Sequence, residues 1–344
     1  MTEIQTTDMA GVDQSVVATR NGRIGHILLN RPKALNALDT AMIRAMTAAL
    51  AAWRDDPAVH AVVIEGAGGR AFCAGGDIRA IRTLALAGER AAIEAFFAEE
   101  YALNALIDEY PKPYVAVIDG ICMGGGIGVS VHGQMRVTSE AGLFAMPETA
   151  IAMFPDVGAT FMLPRLPGAI GMYLGLTGAR LHGADAVHAG IATHFVPKPA
   201  IATLAADVAA DGVAAVAAHA QTLPPFSLAA QRPAIDRCFG ADSVAGIIAR
   251  LEAEGTDWAR ETLAALRSVS PSAVLWSFEA IRRGAACSLR DCLSAELALT
   301  RHVTAHPDFA EGVRAMVVEK DRQPRWSPSR IEDVDPAAIA AMFA

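Results

Sequence analysis

Two glycine-rich segments and three carboxylates carry most of the chemistry open to this chain. Gly124-Gly125-Gly126 follow an apolar run, Tyr114–Ile118, and an Asp119-Gly120 turn. Glycine leaves backbone N–H groups open to close approach. A strand, a glycine turn and a helix start together let such groups point at one anionic oxygen. This stretch is expected to hold an oxyanion. An earlier unit, Ala61–Glu65 leading into Phe72-Cys73-Ala74-Gly75-Gly76-Asp77, has the same form.

Glu148 and Asp156 each follow a proline in apolar sequence. One reading is a pair of helix-start charges stabilised by dipoles. The other is an acid/base or nucleophile pair in a partly dry pocket. The pattern favours neither. Glu100 lies on the apolar stripe of a helix over 89–108, one turn from Phe96 and Phe97, where a carboxylate needs a partner. Glu296 has a similar setting and reads as structural, and His132 as a core histidine.

These groups must be placed by the elements around them. Asn21-Gly22 between apolar runs predicts a hairpin over 15–29. A polar loop, 30–38, precedes a helix capped by Asp39 or Thr40 and running to about Trp53. Asp77 is placed to cap a helix starting at Ile78. After 61–77 and 114–132, a third and weaker unit follows: MRVTSEAGLFAM, then Pro147-Glu148 and Phe154-Pro155-Asp156-Val157-Gly158. Recurring strand–turn–helix units predict an α/β fold of stacked turns. Beyond about residue 200, alanine-rich helices are expected over 201–220, 243–266 and 288–304. Residues 1–200 read as the catalytic core. Residues 201–344 read as a helical cover rather than an independently folding module.

With 53% hydrophobic and 19% charged residues in 344, a large core is expected. A net charge of −8 argues against a nucleic-acid partner, which needs a clustered basic surface. The cysteines, Cys73, Cys122, Cys238, Cys287 and Cys292, are odd in number and suit a reducing compartment. No apolar run is long enough to span a bilayer. The start, MTEIQTTDMAGVDQ, has Glu3, Asp8 and Asp13 before the first basic residue, Arg20. That resembles neither a secretory nor a mitochondrial presequence, so a cytoplasmic location is expected.

Gly66-Ala67-Gly68-Gly69-Arg70-Ala71 has G-x-G-x-x-A spacing after a strand. The Phe72–Gly76 segment follows at once and prevents the helix that a dinucleotide site requires. There is no G-x-S-x-G, no G-K-[ST] and no H-E-x-x-H. Neither a metal nor an organic cofactor is expected.

LNRPKALNAL at 29–38, AFCAGGDI at 71–78 and GICMGGGIG at 120–128 resemble the crotonase (enoyl-CoA hydratase/isomerase) superfamily. FAMPETAIAMFPDVGATFMLPRL at 144–166, GIATHFVP at 190–197 and DFAEGVRAMVVEKDRQPRW at 308–326 resemble its thioester-hydrolase branch. The resemblance covers nearly the whole chain after the first dozen residues. It implies a crotonase-like α/β spiral of ββα turns with a helical C-terminal region. It also implies an acyl-CoA substrate whose CoA is not a separate cofactor.

The resemblance assigns roles by position. The Gly76 and Gly125 amides would hold the thioester oxygen, with two donors converging where charge develops. Hydratases carry a glutamate where this chain has Gly128. Their second glutamate matches Glu148, and the hydrolase branch adds an acid matching Asp156. Glu148 would then act as nucleophile or base, with Asp156 assisting. Glu100, Ala74, Gly75 and Asp77 would contact substrate. Arg31 and Lys33, with Arg70 and Arg79 nearby, would face the CoA phosphates. The implied reaction is hydrolysis of 3-hydroxyisobutyryl-CoA, or the 3-hydroxypropionyl ester, in valine breakdown. A hydratase or isomerase of the same superfamily is the alternative that Gly128 disfavours. A silent acyl-CoA-binding protein would not need the acids. A homo-oligomer is compatible with the sequence.

Overall fold

The computed structural model describes residues 15–344. The chain begins with the expected hairpin. Strands β1 (Val16–Asn21) and β2 (Ile24–Leu29) pair antiparallel, with Val16 opposite Leu29. Helix α1 (Thr40–Arg54) follows, and Asp39 caps it by accepting from the Met42 amide at 2.9 Å.

Three turns of a spiral come next. The first comprises β3 (Ala61–Gly66), β4 (Ala71–Cys73), α2 (Ile78–Ala87) and α3 (Arg90–Asp108). The second is β5 (Tyr114–Ile118), β6 (Ile121–Met123) and α4 (Gly125–Val131). The third is β7 (Met135–Thr138), β8 (Leu143–Ala145) and a 3₁₀ turn at Glu148–Ile151. After β9 (Leu181–His182), β10 (His194–Phe195) closes the larger sheet.

Each turn gives its first strand to one sheet and its second to another. The six-stranded sheet has the order β1-β2-β3-β5-β7-β10, and the four-stranded sheet β4-β6-β8-β9. Strands β4, β6 and β8 run parallel, so their C-terminal ends share one edge. The chain leaves that edge through Ala74-Gly75-Gly76, Gly124-Gly125 and Met146-Pro147-Glu148. Segments far apart in sequence are thus stacked side by side, at the end of a parallel sheet where ligands commonly bind.

Side chains alternate across β3 and β5. Val62, Ile64, Ala116 and Ile118 face the main core, while Val63, Val115 and Val117 face a second cluster covered by Leu204, Val208 and Val216. Burial on both faces explains the continuous apolar runs. Asn36 is fully buried and ties the 30–38 loop to this frame, its amide donating to the carbonyls of Ala67 at 3.0 Å and Ala71 at 2.9 Å.

The C-terminal helices depart in detail from the sequence pattern. The expected 201–220 helix is split into Leu204–Asp211 and Ala214–His219, and 243–266 into Val244–Glu254 and Asp257–Ser268. Gly212 and Gly255 make the breaks with positive φ. Helix Leu289–Val303 lies where expected, but Arg232–Phe239 and Pro271–Gly284 were not foreseen. The second of these had its signal in Ser270-Pro271, an N-cap followed by proline. It carries the fully buried Trp276, whose indole donates to the Met153 carbonyl at 3.1 Å.

Candidate active site

Gly76 and Gly125 face each other across the sheet edge. A Cβ built on Gly125 would lie 3.2 Å from the Gly76 nitrogen and 2.5 Å from Glu100 Oε1. Any side chain here would fill the space between the amides and the acid. The Gly76 amide is left out of the adjoining bridge, because the Leu38 backbone bonds the Gly75 carbonyl and the Asp77 amide instead. Gly125 is the first residue of α4, where an amide has no acceptor within the helix. Both donors border a cavity of about 240 Å³.

Glu100, Glu148 and Asp156 line the same cavity. They reach it from three elements: α3, the 3₁₀ turn after β8, and the irregular segment before the short helix Ala159–Met162. Glu148 opens its turn, as the proline suggested, whereas Asp156 is in no helix. Glu148 Oε1 lies 3.0 Å from where a Cβ on Gly124 would sit, so the carboxyl stands over the glycine segment. Glu148 Oε2 and Glu100 Oε1 are buried without hydrogen-bond partners. Asp156 Oδ2 accepts from the Tyr101 hydroxyl at 2.7 Å.

Burial is the main electrostatic cause here. It pushes the Glu100 and Glu148 carboxyls well above the usual range, and the charge on Asp156 adds to both. Asp156 is pushed up by burial to about 6, with the Tyr101 hydrogen bond opposing. Three buried acids with raised proton affinities in one pocket are suited to holding and passing protons.

The cavity wall includes Ala74, Gly75 and the apolar Phe96, Phe97, Met316 and Val317. Asp77 and Arg31 do not line it. Asp77 caps α2 and pairs with Arg31 at 3.2 Å, and Arg31 also meets Asp39 at 3.1 Å. They clamp the 30–38 loop to the start of α2. Lys33 and Arg70 are exposed outside the cavity. Arg79 donates to the Val317 carbonyl, tying α2 to the C-terminal wall. The sequence reading missed Tyr101, although it shares the buried stripe of α3 with Glu100. It also missed Met316 and Val317, which no local pattern marks.

Glu296 is a tether. It accepts from the Gly158 amide at 2.8 Å, and from the Thr160 amide at 3.1 Å and hydroxyl at 2.5 Å. His132 lies beside the same segment, its Nε2 2.8 Å from the Val157 carbonyl. Gly128 has no room for an acid. A Cβ there would lie 2.6 Å from Val157 Cβ and 3.0 Å from Asn104 Nδ2.

The enoyl-CoA hydratase/isomerase family model matches residues 24–343. The chain belongs to this family. A 3-hydroxyisobutyryl-CoA hydrolase of Xenopus tropicalis is 45% identical over 352 aligned residues, covering 99% of this chain and 91% of the relative. The human protein of the same name is 43% identical, covering 93% and 86%. A crystal structure described as a carnitinyl-CoA dehydratase from Mycobacterium thermoresistibile is 44% identical with a TM-score of 0.92, covering 96% of this chain and 97% of that one. Another, described as an enoyl-CoA hydratase from Rhodobacter sphaeroides, is 41% identical with a TM-score of 0.91, covering the same shares. The family fold is therefore the spiral α/β architecture expected from the motifs.

The comparisons correct one expectation. Both hydrolase relatives are named mitochondrial, so the cytoplasmic reading is withdrawn. It rested on the charges of residues 1–14, which lie outside the described residues. Nothing in the packing of an enzyme core ties it to one compartment. No helix among the described residues is long and apolar enough to cross a membrane.

Proposed function

We propose that this enzyme hydrolyses the thioester of 3-hydroxyisobutyryl-CoA to the hydroxy acid and free CoA. By the family resemblance the reaction belongs to valine breakdown. One observation carries the reading: Glu148 and Asp156 share a cavity with the Gly76 and Gly125 amides, while Gly128 is packed shut. Hydration of a double bond by two glutamates would need an acid at that closed position. The hydrolase names of the curated relatives support the reading.

In the proposed reaction the thioester oxygen sits between the Gly76 and Gly125 amides, which stabilise its developing charge. Glu148 gives up its proton to Asp156 and acts at the thioester carbon. Either its carboxylate bonds to that carbon, or it takes a proton from a water that does. The carbon–sulfur bond breaks, and the thiolate takes the proton from Asp156. In the first route, water then cleaves the Glu148 anhydride, and its proton returns to the acid pair. Both routes consume one water and need no further cofactor.

The test is thiol release from 3-hydroxyisobutyryl-CoA, with crotonyl-CoA followed in parallel for loss of its conjugated double bond. Thiol release by the wild type, abolished in Glu148→Ala, is expected. Hydration of crotonyl-CoA without thiol release would overturn the proposal in favour of the hydratase reading that two solved relatives' descriptions suggest. Label found in Glu148 after single-turnover hydrolysis in ¹⁸O-water would establish the carboxylate route with water attacking the Glu148 carbonyl of the anhydride.

A further inference from the structure

We infer that Tyr101 is a positioning residue of this site: its hydroxyl fixes the Asp156 carboxyl and tunes how readily that acid exchanges its proton. The inference takes from the proposed function only that Asp156 exchanges protons during the reaction.

Asp156 has no regular element to hold it. Residues 153–156 are neither helix nor strand, and Val157-Gly158 form a turn with positive φ at both residues. Its orientation comes from neighbouring side chains together with a hydrogen bond from its own backbone. Glu296 and His132 hold the backbone just after it, through Gly158, Thr160 and the Val157 carbonyl. Tyr101 grips the carboxyl itself, donating to Oδ2 at 2.7 Å. The phenol is buried at 3% exposure, and its ring packs on Phe97 with centroids 5.9 Å apart. A rigid helix thus presents a hydroxyl donor to Oδ2.

The choice of donor has a chemical consequence. Asp156 faces Glu100 and Tyr101 from α3, Glu148 from the 3₁₀ turn and Glu296 from helix Leu289–Val303. His132, the residue just after α4, hydrogen-bonds the neighbouring Val157 carbonyl. An arginine in place of Tyr101 would hold Asp156 permanently ionised. A neutral phenol favours the ionised form without abolishing protonation. Burial thus raises the proton affinity of Asp156, and the Tyr101 hydrogen bond opposes that rise.

The decisive measurement is the titration of Asp156 itself. Protein labelled with ¹³C-carboxyl aspartate is followed by NMR, with Asp156→Asn identifying the resonance. In Tyr101→Phe the Asp156 midpoint is expected to rise by about one pH unit. Site-specific 2,3-difluorotyrosine at 101 keeps the shape, strengthens the donor and is expected to lower the midpoint. Unchanged midpoints in both variants would overturn the inference, as would shifts of the same sign. If Tyr101→Phe fails to fold, the fluorinated variant alone decides, because a merely structural tyrosine would leave the midpoint where it was. Thiol release is measured alongside. In Tyr101→Phe, kcat should fall about tenfold with KM little changed, and the acid limb of the kcat profile should move up. A wild type that releases no thiol would sink the proposed function but leave the NMR result to judge Tyr101.

Discussion

Gly128 and Val157 are in direct contact. A Cβ on Gly128 would stand 2.6 Å from Val157 Cβ, well inside van der Waals distance. The position at which hydratases of the superfamily carry an acid is therefore closed by packing. Gly128→Ala is expected to cost roughly 1–3 kcal/mol of stability, through overpacking of a buried helix. Gly128→Glu should unfold more readily still and gain no crotonyl-CoA hydration. Thermal melts and the hydration assay check both, and a stable, hydrating Gly128→Glu would refute the argument.

The space between Gly125 and Glu100 is equally tight. A Cβ on Gly125 would meet Glu100 Oε1 at 2.5 Å. Gly125→Ala should lower kcat for thiol release by on the order of 10²–10³, the usual effect of spoiling one oxyanion donor. The effect should appear at saturating substrate. A variant with wild-type kcat would remove Gly125 from the oxyanion site.

Glu148 is buried at 7% exposure, and one of its oxygens has no partner. Glu148→Gln keeps the shape and removes a carboxyl whose ionised form the pocket penalises. Activity is expected to fall by about 10³-fold or more. Stability at pH 8 should be unchanged or higher by about 1 kcal/mol, the usual trade between activity and stability. Parallel urea titrations and thiol assays test it. A marked loss of stability would show that Glu148 serves the fold.

The raised acids make stability depend on pH in a definite direction. Burial lifts Glu296 from 4.5 to about 8, and Asp156 from 3.8 to about 6. Such groups bind protons more tightly folded than unfolded. Their stabilising contribution is complete below the unfolded values and is lost as pH rises through the folded ones. Unfolding free energy should therefore decline between about pH 4.5 and 8, with Glu296 alone contributing roughly 2–5 kcal/mol. Glu296→Gln should flatten that decline. Urea midpoints at unit pH intervals supply the measurement, and stability rising over the window would contradict the assignment.

Much of the chain could be read locally. The Asn21-Gly22 hairpin, the Asp39 and Asp77 caps and the successive strand–turn–helix units all form from contacts within a few residues. Neighbours in sequence are neighbours in space, so residue type and spacing suffice. The glycine segments were legible for the same reason, and the family motifs name the acids. The breaks at Gly212 and Gly255 were misjudged because alanine-rich periodicity outweighed a single glycine.

What only the tertiary structure decided is how these parts meet. The parallel order of β4, β6 and β8 brings Gly76, Gly125 and Glu148 to one edge, though they are distant in sequence. Helix α3 adds Glu100 and Tyr101, and helix Leu289–Val303 reaches back with Glu296. The same packing pairs Arg31 with Asp77 at the start of α2, and brings in Met316 and Val317 as a cavity wall. The proton affinities follow from burial, which is a property of the assembled fold. Local sequence specified the reactive groups, whereas long-range sheet register and helix packing determined their distances and their protonation.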